Sequence, residues 1–237
     1  MCTVTFLPKK RGFILTSNRD EDIKRASEVI FPNSFEFDED IIVFPKDPRG
    51  GGSWIAADNK GKAVCLLNGG FEKHERKDSY RKSRGLVVID AFGYDNTKSF
   101  ASNYDFTGIE PFTLVVCEYE KGQTSLHQIV WDEKKVHYSK LDNKKPHIWS
   151  SSTLYTPEVR GQREAWFVDF LRRGDFSIHG IKKFHQFGGE GDNANNLVMK
   201  RGDILSTVSI TAIEIDDQGG EFQYQDLLKN ETKREFL

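Results

Sequence analysis

The second residue of the chain is a cysteine, and at that position a thiol could act as a nucleophile. Methionine before a small residue is usually removed, so Cys2 would carry the free α-amine of the processed chain beside its own thiol. The reference pKa values are roughly 7.7–8.0 for the amine and 8.5 for the thiol, so the amine could accept the thiol proton. Many proteins begin Met-Cys without such chemistry, and an ordinary second residue is the alternative interpretation.

A polar run, NRDE at residues 18–21, follows Cys2 at a distance that suits a hairpin. The basic segment Pro8–Gly12 separates two strand-like segments and predicts the turn between them. If the turn centres near Lys10, residue i lies opposite residue 20 − i, which places Cys2 beside Asn18. Neighbouring strands are only about 4.8 Å apart, so the polar run is predicted to lie where the chain begins.

Two members of this run carry charges that would matter beside an N-terminal thiol. The carboxylate of Asp20 could hold and orient the α-ammonium group, and the guanidinium of Arg19 would favour thiolate over thiol. The alternative is that NRDED, residues 18–22, caps the next segment, with Asp20 and Glu21 in solvent. The residues alone leave both interpretations open.

The elements that must position these residues follow from the spacing of apolar side chains. Strand-like alternation predicts mainly strands over the first 150 residues, and helical spacing predicts two helices after them. The predicted strands are Cys2–Leu7, Phe13–Thr16, Ile41–Phe44, Ser53–Ala57, Lys62–Leu67, Pro111–Tyr119, Thr124–Trp131, Lys135–Lys140, His147–Ser151, Ser206–Ile215 and Glu221–Gln225. The predicted helices are Ser79–Phe92, Pro157–Arg172 and Phe176–Phe187, and the loop Gly188–Asn196 could cover a site or be an ordinary surface loop.

These elements do not alternate as βαβ units. The pattern favours an α+β fold in which antiparallel sheets pack on helices. Neither an internal repeat nor a linker is evident, so residues 1–237 are predicted to form a single domain.

The composition favours a globular cytoplasmic protein. Hydrophobic residues make up 37% and charged residues 30% of the 237 residues, and a net charge of −2 gives no electrostatic reason to expect a nucleic-acid partner. The longest apolar runs are too short to span a bilayer, and no secretory signal is expected.

The three cysteines suggest no disulfide framework. Cys65 and Cys117 lie in apolar runs and are predicted to be inert core residues. The histidines show no metal-ligand spacing, so no metal site is predicted.

Taken together, the motifs resemble one known family. Cys2 followed by NRDE at residues 18–21 is similar to the start of the NRDE family, also called the transport and Golgi organisation 2 family. Gly51–Ile55 (GGSWI) resembles its GG(T/S)W segment, Lys62–Asn68 its strand ending in Asn, and Ser83–Gly85 its S-R-G helix start. The final strand pair falls where the family has a closing hairpin, so the resemblance covers essentially the whole chain.

The resemblance implies the N-terminal nucleophile hydrolase fold, a four-layer αββα sandwich of antiparallel sheets. It also implies similarity to cysteine-dependent amidases that act on conjugated bile acids, penicillins and N-acyl amides. On that basis the chain is expected to hydrolyse a linear amide bond in a small N-acyl amide or related acyl compound, without a cofactor. Cys2 would attack the carbonyl, and its α-amine would carry the proton to the leaving amine.

The remaining site predictions concern residues at strand ends. Asn68 could donate a hydrogen bond to the developing oxyanion, or serve as a turn residue before Gly69 and Gly70. Ser151 stands where the resemblance implies an oxyanion-type asparagine, and Ile204 where it implies an arginine that Arg201 could replace. The predicted catalytic residues are Cys2, Arg19, Asp20, Asn68 and Ser151, and the predicted substrate-binding residues are Asn18, Trp54 and Arg201.

A second hypothesis belongs to another class of function. The resemblance also allows a non-catalytic protein that binds or transfers haem or a lipid on the same fold. The abundant aromatic residues could line an apolar pocket or simply form the core, and no set of haem ligands stands out in the sequence. The oligomeric state is not indicated.

Overall fold

The computed structural model describes residues 3–37 and 40–237, so every prediction about the placement of Cys2 lies outside the described residues. The elements in chain order are β1 (Thr3–Pro8), β2 (Phe13–Asp22), α1 (Ile23–Ala26), β3 (Ile30–Phe37), β4 (Asp40–Lys46), β5 (Ile55–Asp58), β6 (Lys62–Asn68), α2 (Arg84–Asp90), α3 (Thr97–Asn103), β7 (Phe112–Glu120), β8 (Gln123–Trp131), β9 (Val136–Lys140), β10 (His147–Ser150), α4 (Pro157–Arg173), α5 (Ile178–Phe187), β11 (Lys200–Arg201), β12 (Leu205–Asp216), β13 (Gly219–Asp226) and β14 (Glu231–Phe236).

The strands formed by residues 3–37 and 40–237 build two antiparallel sheets. Sheet A has the order β10-β1-β2-β12-β13-β14, with the short β11 paired to β12. Sheet B has the order β3-β4-β5-β6-β7-β8-β9, a continuous meander in which every strand pairs with its sequence neighbour. The NRDE run lies in β2, between β1 and β12 in the middle of sheet A.

The β1–β2 hairpin has a register that differs by one residue from the predicted one. Thr3 pairs with Asn18 and Pro8 with Phe13, so paired numbers sum to 21 instead of 20. The loop between Pro8 and Phe13 holds four residues, so its centre lies after Lys10, and Gly12 closes it with a φ of 114°, a conformation that glycine adopts readily. The rule that residue i lies opposite residue 20 − i is therefore wrong by one residue, since Asn18 lies opposite Thr3; the predicted position of Cys2 beside Asn18 lies outside the described residues.

Helices cover the outer faces of both sheets. Phe167 and Phe170 of α4 and Phe184 of α5 pack on Leu7 and Ile14, which lie on the outer face of sheet A. The opposite face of sheet A packs on sheet B, and α2 and α3 add apolar side chains to that larger core, which includes Val4, Leu15, Cys65, Val87 and Phe100. The layers are therefore helix, sheet, sheet, helix, which confirms the predicted α+β fold with αββα layers.

The helix α4 forms where the sequence predicts it because its ends carry strong local signals. The Thr156 side chain accepts a hydrogen bond from the backbone N–H of Val159, and Pro157 occupies the first turn, where its missing N–H costs nothing. Gly174 ends the helix with a φ of 76°, which satisfies the last carbonyls at no steric cost.

Other predicted boundaries need correction. The helix expected over Ser79–Phe92 begins at Arg84, because Ser83 and not Ser79 caps it by accepting from the backbone N–H of Gly85. The sequence patterns did not predict α1, β3, α3, β11 and β14, which are short or rich in polar residues. The alternative that NRDED caps the next segment is confirmed for its last residue, because Asp22 caps α1. Asp20 is not in solvent, as that alternative expected, but lies buried within β2.

Candidate active site

Strand alternation sends consecutive residues of the NRDE run to opposite sides of sheet A. Asn18 and Asp20 contact residues of α5 and the segments around α4, whereas Arg19 packs on Trp54 beside sheet B. All three side chains are almost completely buried, between 0% and 2% exposed. Charged residues are rarely buried this deeply unless they are paired, so the partners of each side chain indicate what it does.

Asn18 is held by the backbone of the outer helix layer. Its amide nitrogen donates to the carbonyl oxygens of His185 (3.0 Å) and Leu197 (2.6 Å), and its oxygen lies 2.6 Å from Nδ1 of His185. Because the Asn18 nitrogen is the donor to both carbonyls, its oxygen must accept from the His185 ring. Both N–H groups are thus used within the protein, so the structure shows a packing role for Asn18, and a contact with substrate stays a prediction.

His185 completes this arrangement as a neutral imidazole. Burial, with a smaller effect from Arg163, lowers the pKa of His185 to about 3. Its Nδ1–H donates to Asn18, so Nε2 is left to accept from the hydroxyl of Thr5, 2.7 Å away. One buried network therefore ties α5 to β1 and β2.

Asp20 lies in a second buried network. Its carboxylate accepts hydrogen bonds from the hydroxyl of Tyr155, at 2.6 Å, and from the hydroxyl of Thr207 on β12. The Tyr155 ring lies 3.6 Å from the guanidinium of Arg163 and 5.3 Å from that of Arg201. Charge-assisted hydrogen bonds of this kind are stronger than neutral ones, so Asp20 is fixed in orientation at the end of the β1–β2 pairing.

Arg163 joins this network to the first described residue of the chain. It is fully buried on α4, and its Nη1 donates to the hydroxyl of Thr3. Its remaining N–H groups donate to the carbonyl oxygens of Asn195 (3.0 and 3.2 Å) and Asn196 (2.6 Å). The side chain therefore anchors both the start of β1 and the loop that follows α5.

Arg19 points to the opposite face of sheet A, toward Trp54, and its guanidinium is only partly paired with carboxylates. Its guanidinium carbon lies 3.9 Å from the centre of the Trp54 ring, close enough for a cation–π contact. Its Nη2 lies 3.4 Å from Glu21 and 3.5 Å from Asp47, and its Nη1 has no hydrogen-bond partner among the described residues. Burial lowers the pKa of Arg19, an effect that the two carboxylates oppose; an arginine keeps its charge regardless.

A cavity of about 280 Å³ opens beside Arg19 and Trp54. Its walls are predominantly polar. Of the described residues, the basic ones that line it are Arg19, Arg25, Arg76, Lys77, Lys82 and Arg84, and the acidic ones are Glu21, Asp47, Asp78 and Glu110. Two of the six basic side chains, Lys77 and Lys82, form ion pairs with Glu133 and Asp90 outside the lining, so the positive and negative charges around the cavity balance.

Asn68 reaches the same cavity from the end of β6. Its side-chain amide makes no hydrogen bond to any residue that the structure describes, whereas its backbone carbonyl accepts from Ser151 at 2.7 Å. The Ser151 hydroxyl has one proton, which it donates to the backbone carbonyl of Asn68. The Thr153 hydroxyl oxygen lies 2.9 Å from the Ser151 hydroxyl oxygen. The geometry therefore leaves the Asn68 amide available to a ligand and gives Ser151 the task of positioning Asn68.

Two glycine-containing motifs meet at the wall of the cavity. A Cβ on Gly52 would lie 2.2 Å from the carbonyl of Gly85, so the two backbones can approach only because Gly52 lacks a side chain. The N–H of Ser53 donates to the same carbonyl at 3.0 Å. The GGSW and S-R-G segments thus support each other, and the contact fixes the backbone that carries Trp54.

The structure brings Arg19, Trp54 and Asn68 to one cavity but not Arg201. The Arg201 guanidinium donates to the carbonyls of Ala194 (3.0 Å) and Leu154 (3.2 Å) and to the side chain of Asn195 (3.1 Å). It therefore stabilises the loop after α5, and a contact with substrate remains a prediction. Sequence reasoning missed Tyr155, Arg163, Thr207 and His185 altogether.

The two cysteines that the structure describes are unsuited to catalysis. Cys65 and Cys117 are both free and fully buried. Burial raises the pKa of Cys65 to about 12 and that of Cys117 well above its usual value. Both are core residues, as predicted.

Two further findings concern residues 3–37 and 40–237. No group of three or more His, Cys, Asp or Glu side chains there is arranged to hold a metal ion. No helix in the same part of the chain combines the length and apolar character needed to cross a membrane.

The fold and this site can be compared with known proteins. Among solved structures, the chain is similar to a cysteine-to-alanine variant of the conjugated bile acid hydrolase from Clostridium perfringens (TM-score 0.62, 10% identity, 100% of this chain and 92% of that chain). It is also similar to the N-acylethanolamine-hydrolyzing acid amidase ortholog of Caenorhabditis elegans (TM-score 0.60, 13% identity, 90% and 92% of the two chains). A third similar structure is penicillin V acylase from Agrobacterium tumefaciens (TM-score 0.55, 11% identity, 100% and 86%). At such low identity these similarities establish a shared N-terminal nucleophile hydrolase-like fold.

The sequence comparisons give a more specific result. No curated protein matches the chain significantly. The family model for Transport and Golgi organisation 2 matches residues 1–199, which include the NRDE run, both glycine motifs, Asn68 and the helix layer over sheet A. The chain therefore belongs to the Transport and Golgi organisation 2 family.

Proposed function

We propose that the protein is a cysteine-dependent amidohydrolase that cleaves a small N-acyl amide or related acyl compound. Cys2, exposed by removal of Met1, is the nucleophile. The observation that carries the proposal is the buried pair Arg19 and Asp20: both are nearly inaccessible to solvent and lie next to the start of β1, and Arg19 lines a polar cavity. A buried, incompletely paired cation beside a cavity is unusual and typical of functional sites.

Covalent geometry limits where the nucleophile can act. Cys2 is bonded to Thr3, and consecutive Cα atoms are about 3.8 Å apart. Thr3 itself pairs with Asn18 on β2 and with Ser150 on β10. Thr3 therefore lies at the end of sheet A where Asp20 is held by Tyr155, and this is the end at which the proposal requires the nucleophile to act. In support, one solved structure with this fold is of a bile acid hydrolase whose second-position cysteine has been changed to alanine.

The reaction assigns one task to each group. The Cys2 thiolate attacks the carbonyl carbon, forming a carbon–sulfur bond and an oxyanion. The α-ammonium of Cys2 then protonates the leaving nitrogen as the carbon–nitrogen bond breaks, which leaves a thioester. Water attacks the thioester, the α-amine accepts its proton, and the carbon–sulfur bond breaks to release the acid.

The described residues supply orientation and charge for these steps. Asp20, held by Tyr155 and Thr207, would orient the α-ammonium. Arg19 would favour the thiolate through its positive charge. Asn68 would donate its free amide to the oxyanion, and losing one such donor costs about 3–4 kcal/mol, or roughly 100- to 1000-fold in rate.

The test must separate an N-terminal nucleophile from an ordinary cysteine. A panel of N-acyl amides would be incubated with protein whose first residue is Cys2, with Cys2→Ala, and with protein that keeps additional residues before Met1. The extended protein retains the thiol but lacks the free amine. We expect turnover only when Cys2 comes first, and restoration of turnover when the extension is cleaved off to leave Cys2.

Equal turnover by the extended protein would contradict the proposal, as would turnover by Cys2→Ala. Asn68→Ala tests the oxyanion role, with Asn59→Ala as a matched surface control on the turn after β5. We expect Asn68→Ala to lower kcat by roughly 100-fold or more with little change in melting temperature. An Asn68→Ala protein with normal kcat would remove Asn68 from the mechanism.

No observation on the described residues favours the alternative in which the protein carries haem or a lipid. The cavity beside Arg19 is lined mainly by charged and polar groups, whereas an apolar ligand would need an apolar lining. That alternative therefore stays a prediction from the sequence.

A further inference from the structure

Two buried hydrogen-bond donors without partners line the same cavity. Arg19 Nη1 and Trp54 Nε1 each lack an acceptor among the residues that the structure describes, although Arg19 is 2% exposed and Trp54 is 4% exposed. Buried polar groups without partners are rare, because each costs roughly 1–3 kcal/mol. The two side chains are in contact, with the guanidinium carbon 3.9 Å from the indole ring centre.

The cavity rim adds a cation that is free to meet a ligand. Arg76 lines the cavity, is exposed and forms no ion pair with a described residue. Three other lining cations are already paired: Arg25 with Asp47 at 2.6 Å, Arg84 with Glu110 at 3.1 Å, and Lys82 with Asp90. Among the described lining residues, the charged side chains without an ion pair are Arg76 and Asp78, and the buried donors without an acceptor are Arg19 Nη1 and Trp54 Nε1.

We infer that this cavity recognises a carboxylate carried by the substrate, held between Arg19 Nη1 and Trp54 Nε1 with Arg76 at the entrance. The inference rests on the proposed function, since it takes the cavity as the substrate site. A carboxylate has two acceptor oxygens and one negative charge, which match an indole N–H and a guanidinium N–H placed side by side. A cationic ligand or a purely apolar ligand would leave both buried donors unsatisfied.

Two acidic residues of the cavity, Asp47 and Glu110, are already paired with basic side chains of the same cavity. Burial acts to raise the pKa of Asp47, but the ion pair with Arg25 outweighs it, and the pKa lies below its usual value. Its negative charge is thus stable and already matched by a cation. Glu110 is likewise paired, with Arg84 and with His74. These carboxylates therefore position the basic side chains and do not compete for the same donors.

The first experiment measures binding and needs no turnover. Protein carrying Cys2→Ala and ¹⁵N-labelled tryptophan would be titrated with succinate and, separately, with its neutral analogue succinamide. The indole N–H signal of Trp54 is identified by its loss in Trp54→Phe. We expect succinate to move this signal and succinamide to leave it in place; an unmoved signal at tens of millimolar succinate, or equal movement with succinamide, would overturn the inference.

Two variants that spare the fold test the contacts themselves. Trp54→Phe keeps the aromatic ring over Arg19 and removes an N–H that has no protein acceptor, so the fold loses no hydrogen bond. We expect it to weaken succinate binding, measured by calorimetry, roughly tenfold, as for one hydrogen bond to a charged group. Arg76→Gln should weaken binding about threefold at low salt and have no effect at high salt.

Arg173→Gln is the matched control for Arg76→Gln. It removes the same charge at the exposed end of α4, away from the cavity, and should leave binding unchanged. Unaltered affinity in both Trp54→Phe and Arg76→Gln would contradict the inference. The two hypotheses can fail separately. Turnover of N-acyl amides without succinate binding would contradict the carboxylate site alone. Succinate binding without turnover would contradict the proposed hydrolase function alone.

Discussion

Changing Tyr155 to Phe removes one hydroxyl from the network that holds Asp20. That hydroxyl lies 2.6 Å from the Asp20 carboxylate, and both residues are 2% exposed, so water cannot easily take its place. The ring remains, and with it the stacking against Arg163. The change therefore isolates a single charge-assisted hydrogen bond.

The expected loss follows from the geometry. Hydrogen bonds to charged groups contribute about 1.5–3 kcal/mol, and Asp20 keeps its bond from Thr207, so we expect about 2 kcal/mol. For a chain of 150–250 residues, 1 kcal/mol corresponds to a change of about 2–4 °C in melting temperature. Tyr155→Phe should therefore melt about 4–8 °C lower than the unchanged protein.

The assay is thermal unfolding followed by circular dichroism, with urea unfolding as a second measurement. Tyr94→Phe is the control, because the Tyr94 ring packs on Phe100 while its hydroxyl makes no hydrogen bond to a described residue. We expect the control to stay within about 0.5 kcal/mol of the unchanged protein. A double-mutant cycle with Asp20→Asn should show a coupling of about 1–2 kcal/mol between the two side chains.

A Tyr155→Phe protein that melts within about 1 °C of the unchanged chain would refute this reasoning. It would mean that the Asp20 carboxylate is satisfied by other partners. A fall in stability with no coupling to Asp20 would also contradict it, because the effect would then belong to the Tyr155 environment alone.

Three further predictions concern the rest of the molecule. Burial lowers the pKa of His185 to about 3, against about 6.5 when unfolded, so the unfolded chain binds the extra proton first. Stability should therefore fall by up to about 1.4 kcal/mol per pH unit as the pH drops from 6.5 towards 3, and His185→Gln should flatten that slope in urea unfolding. Gly52→Ala should lower the free energy of unfolding by about 3 kcal/mol through overpacking, whereas Gly161→Ala, with nothing within 4 Å of the new Cβ, should raise it by about 0.5–1 kcal/mol; equal effects would contradict the close backbone contact. Because Cys65 and Cys117 are fully buried, iodoacetamide should label them only after unfolding, as mass spectrometry of the digested protein would show; rapid native labelling of either would be inconsistent with its position.

The fold was predictable where local patterns carried the information. Alternation identified most strands of both sheets, and the predicted helix Pro157–Arg172 matches α4, Pro157–Arg173, to within one residue. The short α1 and the polar β14 escaped prediction because neither has an apolar periodicity that stands out from a loop. The register of the first hairpin was missed by one residue, since strand alternation does not reveal whether a turn holds an odd or an even number of residues.

The site was predictable only in part, for a different reason. Arg19, Trp54 and Asn68 were found because each lies in a recognisable motif, and one cavity joins them. Tyr155 and Arg163 carry no motif, and their importance comes from contacts across more than 130 residues of chain, such as the bond between Tyr155 and Asp20. Tertiary neighbours of this kind leave no local signal in a single sequence.

Because side chains alternate along β2, Asn18 and Arg19 of the NRDE run point to opposite faces of sheet A and have different roles. If the proposed function holds, a descendant that lost catalysis would no longer need Arg19, whose guanidinium lines the cavity. It would still have to keep Asn18, since that amide joins the strand to the outer helices. Among relatives, the residue at the position of Arg19 should therefore vary in members that have lost activity, whereas the asparagine at the position of Asn18 should be retained. Comparing these two positions would identify inactive members.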